Sequence, residues 1–227
     1  MMLSARIACE ALAFLCIGNC SDTLGHKRIL KDDAVCTNCV RGTRLTGVMF
    51  MFGRIQRIDN TVLDNIGRIH KPLLNKIMIT VSRSGNLGII WWAVCLMFIM
   101  RPMWRATGYN FVLGLSLAHI MGEMIIKHIV KRVRPCHRLG DDEQLINRPR
   151  FYSFPSGHTT ASFSFVGVAL LRCSLFAFLP ILILASMIGF SRVYLRVHYL
   201  TDVVAGALLG FVCGVSSVLI FNSIFPM

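Results

Sequence analysis

The sequence predicts an all-α integral membrane helical bundle of about five transmembrane helices, with an amphipathic N-terminal helix lying in the interface. Composition is the first reason. Of 227 residues, 55% are hydrophobic and 15% charged, and the mean hydropathy is +0.62, a profile that belongs to membrane proteins. The second reason is segment length. A helix needs about 20 apolar residues to cross a hydrocarbon core about 30 Å thick. Five apolar runs approach that length, at residues 87–100, 108–126, 156–171, 175–190 and 203–225. The turns between them are brief, which makes consecutive helices antiparallel neighbours in a bundle.

Residues 1–54 form a Cys-containing segment that the sequence leaves without a defined structure, and 55–227 form one membrane-embedded domain. The first stretch resembles a signal segment, but Glu10 interrupts its apolar part and no small-residue cleavage pattern follows. Cys36 and Cys39 have half of a zinc-site spacing and lack a second ligand pair, so no metal site is expected. Ile55, Ile58, Val62, Ile66, Ile69, Leu73 and Ile77 then recur at helical steps, and Pro72 bends or breaks that helix. Trp91, Trp92 and Trp104 are expected as interface anchors of the first span. Cys95, Cys136, Cys173 and Cys213 fall in or beside the spans, where a single Cys serves as a small apolar residue.

The formal charge of +13 points to anionic lipid or an anionic substrate, because no basic run resembles a nucleic-acid arm. Ionisable residues at membrane depth mark functional sites, and here they gather in three clusters. The first is KHIVKRVRP, with Lys127 and Arg134 seven apart, close to two helical turns. The second is FPSGHTTASF, which opens the run at residue 156 with polar residues. The third is SRVYLRVHYLTD, in which His198 and Asp202 are four apart, a spacing that puts both on one helical face. Counting crossings places all three clusters on one face of the membrane.

Such a pocket suits a phosphate. Lys127, Arg134 and Arg192 supply positive charge, and the two guanidinium forks match phosphate oxygens. Ser156 and Gly157 open a helix, whose unpaired N–H groups and dipole favour an anion; Gly157 also permits close backbone approach. Of two histidines, one can attack phosphorus as a neutral imidazole oriented by Asp202, while the other protonates the leaving oxygen. No convergent Asp, Glu or Cys ligand set accompanies them, so the cations take the charge-neutralising role of a metal and no cofactor is expected.

Lys127, six residues, then Arg134-Pro135; Pro155-Ser156-Gly157-His158; and Ser191-Arg192, five residues, His198, three residues and Asp202 together resemble the three-part signature of the type 2 phosphatidic acid phosphatase superfamily. The resemblance implies that His198 is the nucleophile forming a phosphohistidine, Asp202 its partner and His158 the general acid. Lys127, Arg134, Ser156, Gly157 and Arg192 would bind the phosphoryl group. The implied substrate is a membrane lipid phosphate or pyrophosphate. Size and layout resemble bacterial undecaprenyl-diphosphatase-like members, with phosphatidylglycerophosphate or phosphatidic acid as alternatives. A phosphotransferase would use the same covalent intermediate. A vanadium haloperoxidase shares the signature but fits the apolar spans poorly, and a scaffold with a vestigial site would show an eroded motif.

Around the motifs, Lys131, Arg132, Arg138, Arg148, Arg150 and Arg196 are expected at the lipid headgroup level. Glu123 and His119 stand one and two turns before Lys127, either as a chain orienting it or as a structural pair. Tyr194 and Tyr199 are expected to pack, with an acyl entry path as the other option. Basic residues outnumber those of the opposite loops, which alone would put the motif face in the cytoplasm. An anion-binding mouth is basic for its own reasons, however, and the resemblance favours an outward-facing site in a bacterial cytoplasmic membrane.

Overall fold

A computed structural model describes residues 46–137, 145–147, 149 and 152–225. The Cys36/Cys39 reading and the placements of Arg138, Arg148 and Arg150 lie outside these residues. The chain divides after Met49, and everything that bears on the site belongs to the second unit, Phe50–Met227.

Eight α-helices are described: α1 (Thr46–Arg68), α2 (Pro72–Ser84), α3 (Ile89–Met100), α4 (Arg105–His119), α5 (Lys127–Val130), α6 (Gly157–Arg172), α7 (Leu175–Tyr194) and α8 (Leu200–Ile224). A π-helical stretch, Ile120–Ile126, joins α4 to α5 without a break. Pro72 stands at the first position of α2, where its missing N–H costs nothing. Gly88 has φ of 66°, a left-handed conformation that glycine adopts without steric cost, and it turns the chain into α3. Among the described residues, three segments are long and apolar enough to cross a membrane: Pro102–Val130, Leu175–Tyr194 and Leu200–Ile224. The bent pair α2 and α3, meeting at 53°, makes a fourth if it forms one span. Phe176, Met103, Leu208 and Leu219 are among the large apolar side chains on the outer surface, as expected of a lipid-facing bundle.

The register of α1 differs from the periodic reading. Its buried face carries Asp59, Leu63 and Ile66, while Ile55, Ile58 and Ile69 are exposed. Trp91 also departs from expectation. It is buried in the core, tilted against Phe165 at 4.5 Å, and its indole N–H donates to Ser162 Oγ at 3.0 Å. Trp92 and Trp104 remain exposed. Cys95, Cys136, Cys173 and Cys213 carry free thiols.

The closest helix pairing is α6 on α8, and small residues make it possible. Gly206, Gly210 and Gly214 line one stripe of α8. A Cβ on Gly210 would lie 2.1 Å from the Thr160 carbonyl oxygen, and one on Gly214 2.1 Å from that of Ser164. This contact sets the two N-termini side by side, where the Ser156 N–H donates to the Asp202 carbonyl at 3.0 Å. Gly210→Val is therefore expected to force the helices apart, because backbone on the far side cannot yield. Overpacking of this kind costs about 1–3 kcal/mol. Thermal unfolding of the detergent-purified variant should show a clearly lowered midpoint; an unchanged midpoint would contradict the packing.

Candidate active site

The first cluster is split between helix and loop. α5 ends at Val130, and Lys131 takes a left-handed conformation with φ of 48°. Lys127 therefore projects from the helix, whereas Arg134 reaches the same place from the loop that follows. The seven-residue spacing does not put both on one helical face, because the helix stops between them. Lys127 is buried, and its ammonium donates to both Glu123 oxygens at 2.6 and 2.7 Å. Of the two roles open to Glu123, contact with Lys127 is the one seen.

Ser156 is the buried N-cap residue of α6, and its hydroxyl accepts from Thr159 Oγ1 at 2.9 Å rather than capping the helix. The helix start is thus left with N–H donors that its own cap does not satisfy. A Cβ on Gly157 would fall 1.9 Å from Glu123 Oε1. Gly157 thus gives space to the carboxylate that holds Lys127. Gly157→Ala is expected to displace Glu123 and with it Lys127, lowering kcat/KM by about 10-fold or more, within the range seen when the support of a functional group is lost. Steady-state kinetics on purified protein would check this, and wild-type kcat/KM would count against it. His158, in the first turn of α6, pairs its Nε2 with Asn86 Oδ1 at 2.9 Å.

The third cluster forms the turn between α7 and α8. Arg192 is buried near the end of α7; its Nη1 donates to Ser82 Oγ, and its Nε is buried without a partner. The Val197 and His198 N–H groups both return to the Arg192 carbonyl, at 3.2 and 3.3 Å. His198 precedes α8, whose N-cap residue is Tyr199, so it does not share a helical face with Asp202. The two are still close, with Asp202 Oδ2 3.6 Å from His198 Nδ1. The nearer partner of Nδ1 is the Ser153 carbonyl, at 2.7 Å.

The protonation of His198 follows from its neighbours. Arg134 Nη1 lies 2.8 Å from His198 Nε2. A guanidinium only donates, so Nε2 accepts and the ring proton sits on Nδ1, facing the Ser153 carbonyl. Burial, followed by the positive charges of Arg134, Arg192 and Lys127, holds the imidazole well below its ordinary pKa. The ring is neutral, with its Nε2 lone pair turned toward the cations. Histidine-selective ¹⁵N NMR at pH 6 is expected to show a neutral Nδ1–H ring for His198. A doubly protonated ring would contradict this.

Arg132 overturns the headgroup expectation. Its Nη1 donates to Asp202 Oδ1 at 2.6 Å and Thr201 Oγ1 at 2.8 Å. Its Nη2 donates to Asp59 Oδ2 at 2.7 Å and Gln56 Oε1 at 3.0 Å. The guanidinium also stacks over the Tyr199 ring, 3.9 Å from its centroid. Asp59, Ser153 and Thr201 escaped the sequence reading. Asp59 had one signal: it stands in helical register with Val62, Leu63 and Ile66, which places a carboxylate on an apolar face. Tyr194 is buried and donates from its hydroxyl to Asn75 Oδ1 at 2.5 Å, which is a packing role. Among the described residues, no three His, Cys, Asp or Glu side chains converge to hold a metal ion.

Residues 105–225, which contain all three clusters, match the family model of the PAP2 superfamily. The chain belongs to that superfamily. One relative is an undecaprenyl-diphosphatase of Sulfolobus acidocaldarius, 30% identical over 60% of this chain and 66% of the relative. Another is phosphatidylglycerophosphatase B of Bacillus subtilis, 28% identical over 69% of this chain and 79% of that protein. Among solved structures, LpxE of Aquifex aeolicus superposes with a TM-score of 0.62 at 25% identity, covering 70% of this chain and 93% of that one.

Proposed function

We propose that this PAP2 protein is an integral-membrane phosphatase that hydrolyses a lipid phosphate or pyrophosphate through a phosphohistidine on His198, without a metal ion. The neutral, buried imidazole carries the reading, because its Nε2 lone pair faces Arg134 beside Lys127 and Arg192. That is the arrangement a nucleophile for an anionic phosphorus centre needs.

The substrate phosphoryl oxygens lie among Lys127, Arg134, Arg192 and the N–H groups at the start of α6, around Ser156 and Gly157. Arg134 releases Nε2 as it turns to the anion. Nε2 forms a bond to phosphorus while the bond from phosphorus to the leaving oxygen breaks, and His158, which takes up a proton as the anionic phosphoryl group binds, gives that proton to the oxygen. The positive charge left on the imidazole is shared with the Ser153 carbonyl at Nδ1 and the Asp202 carboxylate behind it. His158, now neutral, takes a proton from water as the water oxygen attacks phosphorus. The P–N bond breaks, phosphate leaves and Nε2 recovers its lone pair. The cations stabilise the charge that builds on the phosphoryl oxygens.

Undecaprenyl pyrophosphate is the favoured substrate, supported by the Sulfolobus relative. Phosphatidylglycerophosphate is the alternative, supported by the Bacillus relative. About five helices cross the bilayer, α1 lies in the interface, and the site faces outward from a bacterial cytoplasmic membrane. Phosphate release in EDTA from undecaprenyl pyrophosphate, phosphatidylglycerophosphate and phosphatidic acid tests the function. EDTA-resistant release biased toward one lipid is expected. Release that stops in EDTA and returns with a divalent cation would overturn the metal-independent reading, and transfer to an added lipid acceptor in place of water would make the protein a phosphotransferase.

A further inference from the structure

Asp59 lies on α1, outside all three clusters, yet its side chain is fully buried, and the hydrogen bonds it accepts come from Thr201 and Arg132 beside Asp202. Its Oδ1 accepts the Thr201 N–H at 3.0 Å. Its Oδ2 accepts the Thr201 hydroxyl at 2.5 Å and Arg132 Nη2 at 2.7 Å. Thr201 is in the first turn of α8, so a carboxylate from another helix satisfies a donor that α8 leaves open and adds negative charge at its positive end. Arg132 then spans to Asp202 Oδ1 at 2.6 Å. Asp202 Oδ2 takes the Tyr199 N–H at 2.9 Å and stands 3.6 Å from His198 Nδ1. The hydrogen bonds run from α1 to Asp202, whose carboxylate stands behind the imidazole at 3.6 Å, where it acts on the ring through its charge.

The charges along this chain matter as much as the geometry. An arginine paired with Asp202 alone would cancel its charge and leave little for an imidazolium to feel. Asp59 supplies the second carboxylate, so the group of Asp59, Arg132 and Asp202 keeps one net negative charge behind His198. Lys127, Arg134 and Arg192 provide the opposing positive charge on the phosphoryl side. A planar guanidinium is suited to this bridge because it can address two carboxylates with two separate edges, which an ammonium does poorly.

We infer that Asp59 and Arg132 are positioning residues for the phosphoryl-transfer step. They fix the Asp202 carboxylate and set its charge, and through Asp59 they make α1 part of the active site. This rests on the reading of His198 as nucleophile. Neither residue touches the substrate. Their loss therefore slows formation of the charged imidazole without weakening phosphate binding, and the effect falls on kcat rather than KM.

The test uses the full-length protein in detergent and the fastest-cleaved of the three lipids named above, with rates expressed per mole of monodisperse protein. Asp59→Asn, Arg132→Lys, the pair together and His198→Ala are compared with wild type. Asp59→Asn and Arg132→Lys are each expected to lower kcat by about 10- to 100-fold, the range found when the partner orienting a functional group is removed, with KM within about twofold. The double variant is expected to fall no further than the weaker single variant, because both changes cut one chain. Asp59→Asn keeps shape and an acceptor for Thr201; if it still fails to fold, Arg132→Lys decides alone. Wild-type kcat in the folded variants, or a rise in KM at unchanged kcat, overturns the inference. If His198→Ala is inactive in that case, the nucleophile reading survives; an active His198→Ala overturns that reading itself.

Discussion

Replacing His198 with alanine is expected to reduce phosphate release by about 10³-fold or more, the scale on which loss of a covalent nucleophile is felt. Burial and hydrogen bonding make the site specific to this side chain. The ring is held at both nitrogens, by the Ser153 carbonyl at 2.7 Å and Arg134 Nη1 at 2.8 Å. His158 is the other imidazole of the motifs, and it is tied to Asn86 at 2.9 Å. Substrate binding should survive, because Lys127, Arg134, Arg192 and the α6 start remain. The check is a pair of measurements on one preparation, with release lost while vanadate or phosphate still protects the variant against thermal unfolding. Activity within about tenfold of wild type would assign the nucleophile elsewhere.

Arg134→Gln is expected to have the second largest effect, about 10²- to 10³-fold on kcat, comparable to losing one donor to a developing oxyanion. It removes a proposed phosphate ligand and also changes the proposed nucleophile. Arg134 is the largest charged contributor to the lowered His198 pKa, after burial itself. Without it that pKa rises, so the ring takes up a proton at a higher pH than in wild type. The sign follows directly: protonated Nε2 cannot attack, so the variant loses additional activity as the pH falls, while wild type keeps its nucleophile free over the same interval. A kcat/KM profile between pH 5 and 8 should show an acid limb displaced upward in Arg134→Gln. A limb displaced downward would contradict the assigned electrostatics.

Much of this site is written in local sequence. The three clusters are legible because ionisable residues at the ends of apolar runs have few other reasons to exist, and counting crossings puts them on one face. Spacing alone misled in two places. The spacing makes helical neighbours of Lys127 and Arg134, and likewise of His198 and Asp202, yet α5 stops at Val130 and α8 starts at Leu200. Helix ends depend on long-range contacts, such as the Ser153 N–H to Arg132 carbonyl bond at 2.8 Å that fastens the loop. The Asp59–Arg132–Asp202 chain was illegible for the same reason. Its first two members are 73 residues apart, and Arg132 looks in sequence like any basic residue at a membrane surface. Trp91 shows the converse: a tryptophan near the end of a span satisfies the interface pattern, but Ser162 across the core offers its indole N–H a partner.

A phosphohistidine on His198 can be trapped by rapid-quench labelling. Protein in EDTA is mixed with a lipid phosphate carrying ³²P on its terminal phosphoryl group, denatured in alkali within milliseconds and digested for peptide mapping. The label is expected to be stable in base, released by acid, carried by the peptide containing His198 and missing from His198→Ala. A label on another residue, or full turnover with no trapped phosphoprotein on this timescale, would contradict it.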